Sequence, residues 1–314
     1  MHLPALTQDL TRRHFVQAAA LSALPVLMPG FAKGAEMTGD IDAHVHVWTP
    51  DTTAYPLAPG FEKSSMKPLS FTPDELFAEC RPVGVNRIVL IQMSFYQYDN
   101  RYMLEAIAKY PDVFRGVAVI NHDASDACDV MRKLAGQGVT GFRLYANAKA
   151  VESWSQSEAM QKMWKCAAET KQAICLLANP DALPGIHQMC KQHPETKVVV
   201  DHFGRVGIDG TIRSSDLDNL CRLAEFPKLF VKTSAFYALG QKQPPYLDLA
   251  PMIRRLRDTF GAARLMWASD CPFQVQNEHS YAASISLIRD RLDFLTPDDK
   301  TWILRKTAEQ VYWS

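Results

Sequence analysis

The chain has 314 residues, of which 47% are hydrophobic and 22% charged, a composition typical of a globular protein with one large core. Its 34 basic and 34 acidic residues give a formal net charge of zero. This balance excludes the broad basic field that recruits nucleic acid or an anionic membrane, so the expected partner is a small molecule.

Residues 1–35 have the order of an export signal. Arg12 and Arg13 precede an alanine-rich run without charge at 18–31, and small residues suited to cleavage follow it. The adjacent arginines resemble twin-arginine signals, which predicts a twin-arginine export machinery as partner and a periplasmic or secreted location. A membrane anchor is the alternative, but the run is short and two prolines interrupt it, so we expect no stable membrane insertion.

Seven cysteines are spread along the chain without any CxxC pair. An odd number at these spacings does not predict a disulfide framework. Twin-arginine substrates fold before transport, which is compatible with reduced thiols packed as small apolar side chains.

From residue 36 onward, short β-branched runs alternate with longer amphipathic stretches, the pattern of βα units around a parallel sheet. Eight such runs begin near residues 41, 87, 114, 139, 172, 197, 229 and 264. Eight units in roughly 280 residues match a (β/α)8 barrel, whereas an open doubly wound sheet would use fewer strands. The sequence therefore predicts an α/β protein with one TIM-barrel domain, residues 36–314, after the signal at 1–35.

Local signals support this organisation. TPDE at 72–75 and TPDD at 296–299 each supply a threonine N-cap, a proline at the first helical position and an acidic capping-box residue, so a helix is expected to begin at both. The longest irregular stretch is 50–70, and an insertion there after the first strand favours a lid or a binding loop.

The first predicted strand contains IDAHVHVW at 41–48, with His44 and His46 two residues apart. Side chains at this spacing point to the same face of a strand. Two imidazoles there could bind a metal or donate hydrogen bonds to one oxygen, and a pair of half-buried structural histidines is the alternative.

Polar side chains also lie at the ends of five later strands: Gln92 and Ser94, Arg143 and Tyr145, Asp201 and His202, Lys232 and Ser234, and Asp270. Any one of them could be a solvated strand end. However, the carboxyl ends of barrel strands share one mouth, where active sites lie. Burial there could raise the pKa of Asp270 toward that of a general base.

These segments resemble the amidohydrolase superfamily, and within it the amidohydrolase-related branch that contains 2-pyrone-4,6-dicarboxylate lactonase, L-fuconolactonase and 4-sulfomuconolactone hydrolase. The matching segments are DAHVHVW, VLIQMSFYQYDN, GVTGFRLY, VVVDHFGR, FVKTSA and WASDCPF. The resemblance implies a hydrolase with substrate-binding groups at Arg143 and Tyr145. Its implied catalytic residues are His44, His46, His202 and Asp270.

Metal-dependent members of the family usually bring a further ligand from strand four or five, but here the fifth strand ends near Asn179. A mononuclear zinc site needs three or four ligands. The possible ligands here are His44, His46, Asp270 and His202. Because the lactonase-like members work without a metal, we expect no required cofactor, with one divalent metal such as zinc as the alternative.

The expected reaction is hydrolysis of a small, carboxylate-bearing lactone. Asp270 would deprotonate the attacking water while the three histidines donate to the oxyanion, and Arg143 and Lys232 would hold the carboxylate. The remaining candidate substrate contacts are Gln92, Ser94, Tyr145, Tyr55 and Trp48.

Two other functions stay open: a zinc-dependent amidohydrolase or non-oxidative decarboxylase on the same barrel, and a non-catalytic protein that binds a small molecule. The sequence contains no GxSxG, HExxH or GxxxxGK motif, which argues against a serine hydrolase, a zincin and a nucleotide-dependent enzyme. His122 follows the third strand, where a capped turn is the preferred interpretation.

Overall fold

The computed structural model describes residues 39–314, so the predicted export signal at 1–35 lies outside the described residues. Eight parallel strands follow each other in chain order. They are β1 (Asp40–Val45), β2 (Val85–Ile91), β3 (Phe114–Ala118), β4 (Val139–Ala146), β5 (Ala173–Ala178), β6 (Val198–Val200), β7 (Leu229–Ser234) and β8 (Leu265–Ala268). The predicted TIM barrel is confirmed.

Backbone hydrogen bonds at the carboxyl ends of β1 and β8 close the barrel. The N–H of His46 donates to the carbonyl of Cys271 at 2.8 Å, and the N–H of Asp270 donates to the carbonyl of His44 at 2.9 Å. The seam therefore places the histidine pair directly beside the aspartate that follows β8.

Helices follow the strands and cover the outer face of the barrel. They are α1 (Pro73–Cys80), α2 (Arg101–Lys109), α3 (Ala127–Ala135), α4 (Ala148–Trp154), α5 (Glu158–Thr170), α6 (Leu183–Gln192), α7 (Ser214–Arg222), α8 (Ala250–Phe260), α9 (Tyr281–Ser286), α10 (Pro297–Thr301) and α11 (Thr307–Tyr312). Capping boxes at Thr72 and Thr296 begin α1 and α10, as predicted. Within residues 39–314, no helix is long and apolar enough to cross a membrane.

The core has an inner and an outer part. The inner cluster contains barrel-facing side chains such as Val89, Val199 and Met266, and Val311 and Tyr312 of α11 pack into it. The outer, larger cluster packs the other face of the strands against the helices. The last helix thus seals the interior of the barrel.

A register shift in β1 orients the histidine pair. Ile41 and Ala43 belong to the inner cluster, and regular alternation would place Val45 there too. Instead the pairing with β2 shifts between Asp42 and Val45, and Val45 lies in the outer cluster. His44 is thereby turned toward the barrel interior, the effect of a β-bulge beside a functional site.

Candidate active site

A cavity of about 310 Å³ opens at the carboxyl ends of the strands, a size suited to a small ligand. Seven of the residues predicted from the sequence line it: His46, Gln92, Ser94, Arg143, Tyr145, His202 and Asp270. Further lining residues that the sequence analysis did not single out include Arg205, Tyr237 and Phe273.

Three atoms converge at the base of this cavity. Nε2 of His44 and Nε2 of His46 are 3.3 Å apart, and each lies 3.4 Å from Oδ1 of Asp270. Nδ1 of His46 is 2.8 Å from the carbonyl oxygen of Ile91, so Nδ1 carries a proton, and in the neutral ring Nε2 is an acceptor. The cluster is buried, with His44 fully enclosed.

Nε2 of His44 is also an acceptor, like Nε2 of His46. Nη1 of Arg143, which can only donate, lies 3.1 Å from its Nε2. Nζ of Lys232, also a donor, faces Nδ1 at the longer distance of 3.3 Å, so the closer Arg143 contact favours the tautomer with the proton on Nδ1, which lies 3.4 Å from Oδ1 of Asp201. Burial lowers the pKa of His44 well below its ordinary value, and the charge of Lys232 lowers it further, so this imidazole is neutral.

These tautomers favour a role for His44 and His46 that differs from the predicted donation to an oxyanion. Because His44 and His46 both present an Nε2 lone pair toward Asp270, neither can donate to an oxyanion from that atom. His202 can, since its Nδ1 is 2.8 Å from Oγ of Ser234 while its Nε2 faces Oδ2 of Asp270 at 3.8 Å. Burial lowers the pKa of His202 to about 4, so it is also neutral near pH 7.

The predicted rise in the pKa of Asp270 is wrong. Burial does favour the neutral acid, but His202 is protonated in the acidic range where this carboxyl titrates, and its charge, followed by the effect of His46, outweighs burial and holds the pKa below the ordinary value. Tyr237 adds a donor, its hydroxyl lying 2.7 Å from Oδ2. Asp270 is therefore an ionised carboxylate near pH 7.

Asp42, which the sequence analysis did not select, supports the histidine strand from behind. Its carboxylate accepts hydrogen bonds from the N–H of Ser269 at 2.9 Å, the hydroxyl of Tyr281 at 2.6 Å and the N–H of His44 at 3.1 Å. These bonds tie β1 to the end of β8 and to α9. An acidic residue inside an apolar strand was the available signal, since such a group needs several donors when buried.

Lys232 does not reach the cavity, contrary to its predicted role in substrate binding. It is fully buried, and Nζ lies 2.9 Å from Oδ1 of Asp201 and 3.3 Å from Nδ1 of His44. Burial opposes ionisation of Asp201, yet the Lys232 ammonium and His44 hold its pKa well below the ordinary value. This ion pair lies beneath the histidines and supports them.

Three other aromatic or histidine candidates also lie away from the lining of the cavity. Tyr55 donates to Glu105 and packs edge-on against Tyr102. Trp48 is buried, with Nε1–H donating to the carbonyl of Pro68 at 3.0 Å. His122 faces Asp123 at 3.7 Å, as expected for a polar turn.

The donor set fits one divalent metal ion. The ligand atoms of His44, His46 and Asp270 all lie within 4.8 Å of one another. Their separations of 3.3–3.4 Å equal the edge of a tetrahedron whose centre is about 2 Å from each corner, the Zn–N distance. In contrast, Asn179 at the end of β5 supplies no further ligand, because its Oδ1 accepts a hydrogen bond from Arg205 at 2.8 Å.

Comparison with known proteins finds two lactone-hydrolysing relatives and a solved structure of the same fold. L-Fucono-1,5-lactonase of Burkholderia ambifaria is 25% identical over 280 residues, which cover 88% of this chain and 96% of the relative. The 4-sulfomuconolactone hydrolase of Rhizobium radiobacter is 26% identical over 74% of this chain and 76% of its own. A crystal structure of a Burkholderia multivorans amidohydrolase with bound zinc superposes with a TM-score of 0.76 at 19% identity, covering 88% of this chain and 99% of that one.

Residues 41–313 match the Amidohydrolase family, which is nearly all of the part of the chain that the structure describes. The predicted membership of this superfamily and the predicted class of enzyme, a hydrolase, are therefore confirmed. The chain belongs to the Amidohydrolase family.

Proposed function

We propose that this protein hydrolyses a small lactone, with Asp270 as the general base. The observation that carries the proposal is the ionised Asp270 carboxylate, which lies at the base of a cavity and faces two imidazole acceptors 3.4 Å away. Both curated relatives described above act on lactones, as their names state.

The three converging acceptors can hold one water molecule by its two protons. A water donating to Oδ1 of Asp270 and to Nε2 of His46 would keep an oxygen lone pair for attack on the lactone carbonyl. Asp270 then takes the proton as the oxygen–carbon bond forms. As the ring carbon–oxygen bond breaks, Asp270 gives this proton to the departing ring oxygen, so the product is a hydroxy acid and the carboxylate is regenerated.

Arg143 and His202 are the donors for the developing oxyanion. Nη1 of Arg143 lies at the base of the cavity against His44, and Nε2 of the neutral His202 can carry a proton toward the same space. Fixed donors of this kind stabilise charge that develops in the transition state. Arg143 thus takes over the role that the sequence analysis gave to His44 and His46.

We propose that the reaction needs no metal. The Arg143 guanidinium already directs positive charge at the His44 nitrogen that a metal would require. If a divalent ion were bound by His44, His46 and Asp270, it would supply Lewis-acid polarisation of the carbonyl and a more acidic water. Metal analysis of the purified protein, with lactone hydrolysis assayed before and after chelation, distinguishes the two. Stoichiometric zinc together with activity that is lost on chelation would overturn the metal-free proposal.

The test of function is Asp270→Asn, assayed on a panel of lactones. Loss of the base should lower kcat/KM by about 10² to 10⁴ while the thermal midpoint changes little. Asp209→Asn is the matched control, since Asp209 is exposed and pairs with Arg213 away from the cavity. An Asp270→Asn variant that hydrolyses lactones as fast as the parent would rule out the assigned role.

We also propose export by the twin-arginine route, which the Arg12–Arg13 pair and the uncharged run after it support. Cell fractionation of the full chain and of a variant with lysine at both positions tests it. Equal amounts of both proteins in the periplasmic fraction would contradict this route.

A further inference from the structure

Arg205 is a cation of the cavity to which the proposed mechanism gives no role. Its guanidinium lines the cavity, and Nη1 donates to Oδ1 of Asn179 at 2.8 Å. Asn179 is neutral, so this hydrogen bond does not balance the charge of the guanidinium. Within residues 39–314 the neighbouring ion pairs involve Arg143, His202 and Arg213, and no carboxylate oxygen lies within 4.0 Å of Arg205. Arg143, in contrast, is shared between His44 and Asp201.

An unusual backbone holds Arg205 in this place. Four consecutive residues after β6, His202, Phe203, Gly204 and Arg205, have φ values of 52°, 55°, 60° and 55°. Left-handed backbone costs about 1–2 kcal/mol for each non-glycine residue, so the three non-glycine residues of this run need compensation. Strain of this kind is typical of functional sites. The turn places His202 and Arg205 on the lining of one cavity.

The surroundings of Arg205 favour an anionic ligand. Apolar side chains of Leu177, Ile208 and Leu239 line the same cavity. A guanidinium beside apolar walls gains most from a partner that replaces its lost hydration. A planar oxyanion such as a carboxylate meets this need because it accepts two parallel hydrogen bonds from the guanidinium.

We propose that Arg205, positioned by Asn179, forms an anion subsite that selects lactones bearing an oxyacid group apart from the ring carbonyl. The inference rests on the proposed lactone hydrolysis, and it states that Arg205 and Asn179 determine which class of lactone is accepted. Asn179, which follows the fifth strand, serves this subsite by holding the guanidinium, while Arg143 serves the reacting carbonyl. Arg205 contacts the substrate, and Asn179 is a positioning residue.

Two γ-lactones with the same ring test the subsite: 5-oxotetrahydrofuran-2-carboxylate, which carries an anion, and γ-valerolactone, which carries a methyl group at that position. Arg205→Gln should raise KM for the anionic lactone about tenfold or more, the loss of one charged hydrogen-bonded contact, with kcat changed less than about threefold. Hydrolysis of the neutral lactone should stay within about twofold. Arg205→Lys should give a KM for the anionic lactone between those of the parent protein and Arg205→Gln.

Two further variants complete the design. Asn179→Ala should raise KM for the anionic lactone in the same selective way but less than Arg205→Gln, because the guanidinium remains. Arg213→Gln is the control, since Arg213 is exposed and pairs with Asp209 outside the cavity. Equal losses with both lactones in Arg205→Gln, or no loss with either, would overturn the subsite.

Binding measured without turnover separates this inference from the proposed function. Glutarate, a dicarboxylate, is titrated by calorimetry into the parent protein and into Arg205→Gln. If neither lactone is hydrolysed but glutarate binding depends on Arg205, the lactonase proposal fails and the anion subsite stands. If lactones are hydrolysed and neither KM nor glutarate binding depends on Arg205, the function stands and the subsite is wrong.

Discussion

The hydroxyl of Tyr237 donates a 2.7 Å hydrogen bond to Oδ2 of Asp270, on the opposite side of the carboxylate from the histidine pair. Oδ1 of the same carboxylate lies 3.4 Å from Nε2 of His44 and from Nε2 of His46. One oxygen is thus held by the phenol while the other faces the position proposed for the attacking water. Tyr237 fixes the rotation of the base without contacting the water itself.

Tyr237→Phe should therefore lower kcat more than it affects KM. A hydrogen bond to a charged group contributes about 1.5–3 kcal/mol, so we expect kcat to fall about 10- to 100-fold with KM within about threefold. Steady-state kinetics on a lactone substrate measures both constants. Tyr98→Phe is the control because that side chain is exposed and outside the cavity lining. Unchanged kcat in Tyr237→Phe would show that the carboxylate does not need this donor.

The barrel was predictable because its signals are local and repeated. β-branched runs recur at βα spacing, and Thr72 and Thr296 show their caps directly in the sequence. The mouth was predictable for the same reason, since polar residues at strand ends converge in any parallel barrel. The positions of His44, His202 and Asp270 at the mouth of the barrel could be predicted from this pattern alone.

The pattern could not predict how deeply a strand-end side chain is buried, nor the path of the chain in the turns that follow the strands. Lys232 and Ser234 share a face of β7, yet Lys232 lies fully buried under His44. Tyr237 and Arg205 come from turns with left-handed residues after β7 and β6, whose geometry depends on tertiary contacts. The pKa of Asp270 was mispredicted because burial was weighed without the neighbouring imidazoles.

His202 makes stability depend on pH between about 4 and 6.5. Its pKa is about 4 in the folded protein and near 6.5 when unfolded, so in this window the unfolded chain binds a proton that the folded protein does not. The free energy of unfolding should therefore fall as the pH drops from 6.5 to 4, by at most about 3 kcal/mol from this residue. Urea denaturation at several pH values measures the slope.

The variant His202→Asn should flatten that slope relative to the parent protein. Asp42, whose pKa burial raises to about 6, has the opposite sign because the folded protein then binds the extra proton. It is present in both proteins, so it cancels in the difference. His122→Asn, altered at a half-buried position outside the cavity, should keep the parent slope. Identical slopes in the parent and His202→Asn would refute the assignment.

Substitutions in the buried ion pair of Lys232 and Asp201 distinguish a supporting role for the lysine from a role in substrate binding. Lys232→Met leaves the Asp201 carboxylate buried with only Arg143, 3.9 Å away, and the neutral His44 beside it. Breaking a buried ion pair from one side costs about 3–5 kcal/mol, which urea denaturation should show as a loss of unfolding free energy. Lys228→Met, at an exposed pair with Glu195, should cost less than about 1 kcal/mol.

Removing both charges gives the sharper result. In the double variant Lys232→Met/Asp201→Asn no carboxylate is left unpaired, so its loss of stability should be smaller than the sum of the two single losses. The difference is the coupling energy of the pair, and a value near zero would contradict the structural role. A lysine that held the substrate carboxylate would give a different pattern: KM would rise while the unfolding free energy stayed at the parent value. Because Lys232 is fully enclosed beneath His44, we expect the first pattern, with stability lost before substrate affinity.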